Sequence, residues 1–489
     1  MHSLEYRFFV WCLLLTLNLL LTSCGGGGTS GSTSPVTPED PVTWTWVSGS
    51  SVSWAGNYGA KGVPSPSNDP GPRYYGASWA DKSGNLWLLG GQGCNMLTAT
   101  ASLCGMLNDL WEYNPTTGNW VWMNGSNQNT STAGNPPNSP SSVWGVYGTM
   151  GVPGANNTPG ARVWAVTWSD NNGNFWLFGG LGIDASGNPG ALNDLWKYSP
   201  VNNLWTWIGG SNQVNVPGSY GTKGVAATGN IPGARAAAAA WTDASGDFWL
   251  FGGSGMDSTN GSGGNLNDLW IYSPSANTWT WVSGSSTVNG AAQYGTKGVA
   301  SASNIPGARW DSVSWIDGSG NFWLFGGIDV NQNGLNDLWK FDPSNKTWTW
   351  VSGSSTSKST GNYGTRLVPA ASNEPPARAG AVGWTDANGN LWLFGGNPET
   401  VTGDALNDLW EYASSTGSWT WISGSNTPNA MGDYGTKGVA AASNVPRARE
   451  GAFSWTDSAG RFWLMGSSAI ETDATGQGML NDLWRWQPQ

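Results

Sequence analysis

The sequence predicts an all-β protein in which six four-stranded antiparallel sheets close into a ring. Three observations predict it. The phrase Leu-Asn-Asp-Leu-Trp begins at Leu107, Leu192, Leu266, Leu335, Leu406 and Leu480, with gaps of 85, 74, 69, 71 and 74 residues, and a fixed period of this size marks a repeat architecture. Short runs rich in β-branched and aromatic residues alternate with Gly, Asn, Ser and Pro clusters, as strands alternate with turns. The ends are complementary, because the last repeat lacks a final strand and the chain begins with one to spare.

The chain has 489 residues, too long for one ordinary core but suited to an array of units. Charged residues make up only 10% and glycine numbers 73, yet the 12% aromatics argue against disorder. The net charge of −11 disfavours nucleic acid, which needs a basic stripe, and disfavours adhesion to anionic lipid by charge alone.

Residues 1–23 read as a secretory signal. Arg7 precedes an apolar run from Phe8 to Leu21, too short to span a bilayer. The ending Leu21-Thr22-Ser23-Cys24 resembles a bacterial lipobox, which implies cleavage before Cys24 and lipid on its thiol. Residues 24–41 form a Gly/Ser/Thr/Pro tether, flexible by composition. By resemblance to bacterial lipoprotein sorting, Gly26 rather than Asp two positions after Cys24 implies the outer membrane. Cys94 and Cys104 lie ten apart in one loop, and a disulfide is the default for such a pair in an exported protein.

Residues 42–489 hold the repeats, with 42–47 as the orphan strand that completes the last blade. The third repeat serves as the type. Pro232-Gly233-Ala234-Arg235 opens it, and Ala236 to Trp241 is a small-residue strand (strand a) for the crowded axis. Thr242 to Asp247 is a hairpin turn, with Gly246 available for positive φ. Phe248 to Phe251 is apolar throughout, as a strand buried on both faces requires (strand b). Gly252-Gly253 ends it. After a variable loop, Leu266 to Tyr272 is strand c, and Trp279 to Val282 is strand d.

The double Gly after an apolar strand, followed by spaced aromatics, resembles the kelch motif, six times over residues 42–489. The resemblance implies the four-stranded blades of a kelch-type β-propeller, the fold of the central propeller of galactose oxidase, and six of each strand with none left over make six blades. A kelch repeat is about 50 residues. Here the period is near 70, and the excess lies between strand d and the next strand a. The last double Gly is replaced by Gly466-Ser467.

Tryptophan invites a sugar-stacking reading, but 30 of the 36 recur at five fixed positions per blade and are expected to be framework. Trp54, Trp144, Trp164 and Trp310 fall off the register and are candidate ligand residues, as are Asp311 and Glu450, which interrupt the small-residue pattern after the repeated arginine. In an antiparallel meander the d–a and b–c loops share one face. From the strand d Trp to the next Arg the separations are 27, 40, 28, 28, 28 and 28 residues. Such constancy predicts folded loops, and their length makes this the expected working face. Arg73, Arg162, Arg235, Arg309, Arg378 and Arg449 ring that face. Each either pairs with the Asp of its Leu-Asn-Asp-Leu-Trp or stands ready for an anionic ligand.

The single histidine, His2, lies in the signal. Imidazole ligation and His-dependent nucleophilic catalysis are therefore not expected, and the copper chemistry of galactose oxidase does not carry over. No cofactor is expected. Carboxylate chemistry stays open, since two acids suffice for glycoside hydrolysis, with Asp311 and Glu450 as the pair. Asp329, Asp404, Glu471 and Asp473 in b–c loops are either oxygen ligands for Ca²⁺ or simply solvated acids, and no metal is expected. The leading expectation is a non-catalytic, membrane-tethered module binding a glycan or protein on its long-loop face. An Asp/Glu hydrolase or lyase and a purely structural envelope protein are the alternatives.

Overall fold

The apolar runs Phe248–Phe251, Phe322–Phe325 and their counterparts are buried on both faces, so each needs a strand on either side and a sheet above and below. A computed structural model describes residues 43–50, 56–98, 101–130, 143–259, 261, 263–398, 404–468 and 478–488, within a unit spanning Val42–Gln489. It is an all-β six-bladed propeller of four antiparallel strands per blade. In blade 2, for example, strand a is Val166–Ser169, b Phe175–Ile183, c Pro189–Ser199 and d Leu204–Gly209.

The ring closes as the chain ends require. Trp44–Ser48 lies antiparallel to Met479–Trp486, with Trp44 opposite Trp486 and Trp46 opposite Trp484. Trp486 ends the last strand c. It occupies the aromatic position held by Tyr113, Tyr198 and Tyr272 in other blades and is buried.

The core lies between blades. One cluster joins Trp168, Trp176 and Phe178 of blade 2 to Phe248, Leu250 and Trp270 of blade 3, and the pattern repeats around the ring. The strand a tryptophans belong to it. Alternation within strand a puts its small residues toward the axis and its Trp into the gap between blades. There Trp79, Trp168 and Trp241 stack flat on the Phe that opens the neighbouring strand b, with centroids 5.2–5.3 Å apart. Their indole N–H groups donate to carbonyls of the next blade at 3.1–3.3 Å.

The described residues of the long d–a segments are folded, and these segments account for the extra period. Each runs out to the rim of the blade it is about to enter and bridges its strand d: Ser65 to Trp120, Gly154 to Trp205, Ala227 to Trp279, Ser301 to Trp348 and Ala370 to Trp419. A strap thus covers an otherwise open sheet edge, the usual template for aggregation. Lys61, Lys223, Lys297 and Lys437 of the straps lie 4.2–4.4 Å over the second strand d Trp, a cation–π contact.

Strand a is not continuous. In blade 3 it splits into Arg235–Ala236 and Ala239–Thr242, because Ala237 is left-handed at φ 54°. In every blade the residue two beyond the repeated Arg is left-handed: Tyr75, Trp164, Ala237, Asp311, Gly380 and Gly451, at φ 54–65°. Only two are glycine, so the other four hold a conformation that costs side-chain-bearing residues about 1–2 kcal/mol each.

Cys94 and Cys104 are joined in a disulfide. They lie in paired strands rather than in a loop, because strands b and c of blade 1 extend into a long hairpin that sets the two opposite each other.

Candidate functional site

The left-handed residues meet at the axis. Tyr75 N–H donates to Gly451 O, Gly451 N–H to Gly380 O, Gly380 N–H to Asp311 O, Asp311 N–H to Ala237 O, Ala237 N–H to Trp164 O and Trp164 N–H to Tyr75 O, at 2.8–3.3 Å. Six blades are thereby stitched by one closed circuit of main-chain hydrogen bonds. Backbone groups near the axis cannot pair within their own sheets where strand a breaks, and this circuit satisfies them.

The arginines one step outside the circuit are held by framework acids, as the pairing reading of that ring expects and the anionic-ligand reading does not, although the buried Arg73 Nε has no partner among the described residues. Arg73, Arg162, Arg235, Arg309, Arg378 and Arg449 bind Asp109, Asp194, Asp268, Asp337, Asp408 and Asp482 at 2.6–2.7 Å, with side chains no more than 2% exposed. In blade 3, Arg235 is bidentate to Asp268 and also donates to Gly252 O and Gly233 O. The same carboxylate accepts from Tyr220 Oη at 2.6 Å and Trp270 Nε1 at 2.7 Å. A dry guanidinium with its planar fork matched to one carboxylate has nothing left for a diffusing anion.

Inside the circuit, symmetry ends. Tyr75 lies across the axis. Its ring rests on Gly451, where an added Cβ would come within 2.8 Å of it, and its hydroxyl sits over Gly380, 2.6 Å from where a Cβ would be. That hydroxyl reaches Asp311 Oδ2 of the opposite blade at 3.4 Å. Trp164 packs on Tyr75 with centroids 4.7 Å apart, Trp310 meets Trp164 edge to face at 6.2 Å, and Tyr74 flanks Tyr75 at 5.4 Å. The four candidates Trp164, Trp310, Asp311 and Glu450, scattered over 286 residues of sequence, therefore converge, and each is part-exposed.

The acids are electrostatically tense. Burial first, and then the neighbouring Glu450 carboxylate, push the Asp311 carboxyl up to about 7, while the Tyr75 hydroxyl opposes the shift. Burial also raises Glu450, against hydrogen bonds from Asn397 and Tyr75. Tyr74 is pushed up to about 12 by burial and by Glu450. Burial thus raises both carboxyls, and the Glu450 charge raises Asp311 further.

The remaining candidates lie elsewhere or outside the described residues. Trp144 sits in the strap before blade 2, packed on Gly187 and against the small cluster of Val143, Ala161 and Ile183, which is loop packing. Trp54, Cys24, Glu471 and Asp473 are not among the described residues. Asp329 accepts the N–H groups of Asn331 and Asn333 at 2.8 Å, the work of a turn-forming Asp, and Asp404 accepts from Asn429 Nδ2. Among the described residues no three His, Cys, Asp or Glu side chains gather as a metal site.

Sequence reasoning missed Tyr74 and Tyr75. Their signal was available, because they stand one and two places after Arg73, as Trp310 and Asp311 stand after Arg309. The opposite end of the axis holds an open well of about 500 Å³ lined by Ser78, Thr167, Ala240, Ser314 and Gly383. It carries no charged side chain and is rich in hydroxyls, with Trp79, Trp168, Trp241, Trp315 and Trp384 of the blade framework at its wall, whereas the acids stand at the long-loop end. No protein-family model matches this chain, and no curated protein is similar to it in sequence.

Proposed function

We propose that this chain is a kelch-type propeller of the bacterial envelope, held to the membrane, most simply the outer membrane, by lipid on Cys24, and that it binds a glycan or protein ligand at the axial end of its long-loop face. The signal-like residues 1–23, the tether 24–41 and the motif resemblance support location and family. The observation that carries binding is the convergence of Trp164, Trp310, Tyr74 and Tyr75 with Asp311 and Glu450 inside a ring whose other charges are internally paired. Aromatic faces beside carboxylates supply stacking and hydrogen-bond acceptance together, the combination that orients a ligand in a mostly apolar site. A glycan array probed with the purified protein tests the reading: Trp310→Ala abolishes the signal, and Trp144→Ala leaves it intact. Signals that survive Trp310→Ala defeat the axial assignment.

One observation favours the hydrolase or lyase alternative. Burial and the nearby Glu450 push the Asp311 carboxyl up to about 7, the direction a general acid beside a second carboxylate needs. Turnover of any oligosaccharide that disappears in Asp311→Asn, with binding retained, establishes that reading in place of simple recognition.

A further inference from the structure

Where four of the straps leave strand d, each is clamped to the residue just before Leu-Asn-Asp-Leu-Trp. Asn215 N–H donates to Ala191 O and its Oδ1 accepts from Ala191 N. Asn289 does the same with Asn265, and Asn429 with Ala405, at 2.6–3.1 Å. Thr130 makes the equivalent pair with Met106. The three asparagines are left-handed, at φ 58–63°, a conformation Asn tolerates better than most residues.

Blade 4 breaks the rule. Lys358 stands in the clamp position, left-handed at φ 64°. Its N–H still donates to Gly334 O at 2.8 Å, but an ammonium cannot accept. Among the described residues nothing accepts from Gly334 N–H, and no acid pairs with the Lys358 ammonium. At this same place a cleft of about 450 Å³ opens between blades 4 and 5, within the range of small-ligand sites, about 300–1,000 Å³.

We propose that this cleft is a second ligand site, distinct from the axis, that takes a sugar residue bearing one carboxylate, a uronic acid. Lys358 and the Gly334 N–H supply two donors on one wall, the pairing an anion requires. Ser359, Thr360 and Asn426 present neutral polar groups suited to hydroxyls. Pro398 and Pro428 give flat apolar surfaces suited to the C–H face of a pyranose. Asp404, held by Asn429 Nδ2 at 2.8 Å, also lines the cleft. Its charge limits the ligand to a single carboxylate and disfavours polyanions.

The test is calorimetric titration of the full chain with cellobiouronic acid, with cellobiose as the neutral control. The acidic disaccharide binds at least tenfold more tightly than cellobiose, and raising the salt weakens it. Lys358→Asn installs the clamp residue of the neighbouring blades, so the fold and melting temperature are kept or improved while affinity for the acid falls at least tenfold. Trp310→Ala, at the axis, leaves that affinity unchanged. Absence of binding to the unmodified protein, equal affinity for the two sugars, unchanged affinity in Lys358→Asn, or loss in Trp310→Ala each overturns the assignment.

Discussion

Arg235→Met separates a framework arginine from a ligand-binding one. The guanidinium is fully buried and bidentate to Asp268 at 2.7 and 2.8 Å, with further bonds to Gly252 O and Gly233 O at 3.0 Å each. Methionine fills much of the volume but supplies no donor. Asp268 retains Tyr220 and Trp270 as partners on Oδ2, while Oδ1 and two carbonyls lose theirs in a place water does not reach. Removing one partner of a buried pair costs about 3–5 kcal/mol. Orphaned acceptors cost about 1–3 kcal/mol each when taken singly, and the two penalties overlap. A net loss of about 4–6 kcal/mol follows, against a typical domain stability of about 5–15 kcal/mol.

Urea denaturation followed by tryptophan fluorescence and far-ultraviolet circular dichroism measures this directly. A companion, Arg235→Met with Asp268→Asn, removes the stranded charge and keeps an acceptor for Tyr220 and Trp270. It regains about 2 kcal/mol, the surplus an uncompensated buried charge carries over a neutral polar group. A loss below about 1 kcal/mol in the single variant, or strict additivity of the two substitutions, would refute the framework role, since coupled neighbours are non-additive.

Three other outcomes follow from the geometry. Asp311 binds its proton more tightly in the folded protein than in the unfolded chain, so stability is complete below about pH 4 and falls as pH rises through about 7, by up to about 4 kcal/mol for a shift of this size; Asp311→Asn removes most of that slope, and denaturation midpoints between pH 4 and 8 check it. Gly380→Ala drives a methyl into the Tyr75 hydroxyl and strains a left-handed backbone, so it costs about 1–3 kcal/mol, and Tyr75→Ala relieves the steric part, which a double-mutant cycle across the axis measures. Deleting residues 42–48 removes the strand paired with Met479–Trp486, exposes two sheet edges and produces aggregation visible by light scattering.

The propeller was legible because its information is repeated: six copies of one phrase set the register, and the unmatched strands at Trp44 and Trp484 announced closure. The buried arginines were legible only as a choice between pairing and ligand binding, since the sequence does not say that the fork of Arg235 faces Asp268. The break in strand a was hidden. Its left-handed residues, Tyr75, Trp164, Ala237, Asp311, Gly380 and Gly451, share no side-chain chemistry, because the circuit that imposes their conformation is main chain. Tyr75 could be found from its place two beyond Arg73, but its reach to Asp311 of the opposite blade could not. Lys358 reads as an ordinary loop lysine until Asn215, Asn289 and Asn429 are seen to be clamps.

These observations bear on how a symmetric frame comes to hold an asymmetric site. The Arg–Asp pairs fix the backbone just outside the axis, and the main-chain circuit fixes it at the axis, so neither depends on the two side chains that follow each arginine. Those twelve positions vary at little cost to the ring, within the limits that left-handed geometry sets. Variation there is correlated. Gly380 and Gly451 are bare where Tyr75 lies, and Ala237 is small between the bulkier Trp164 and Asp311. Large groups from blades 1, 2 and 4 thus occupy space that blades 3, 5 and 6 leave open. The strained conformations and the uncompensated acids persist only where the surrounding structure over-determines them, and here they coincide at one place. The backbone cost belongs to the main-chain circuit, since Ala237 bears it too, so the buried acids Asp311 and Glu450 are the part of the arrangement that the ring does not require.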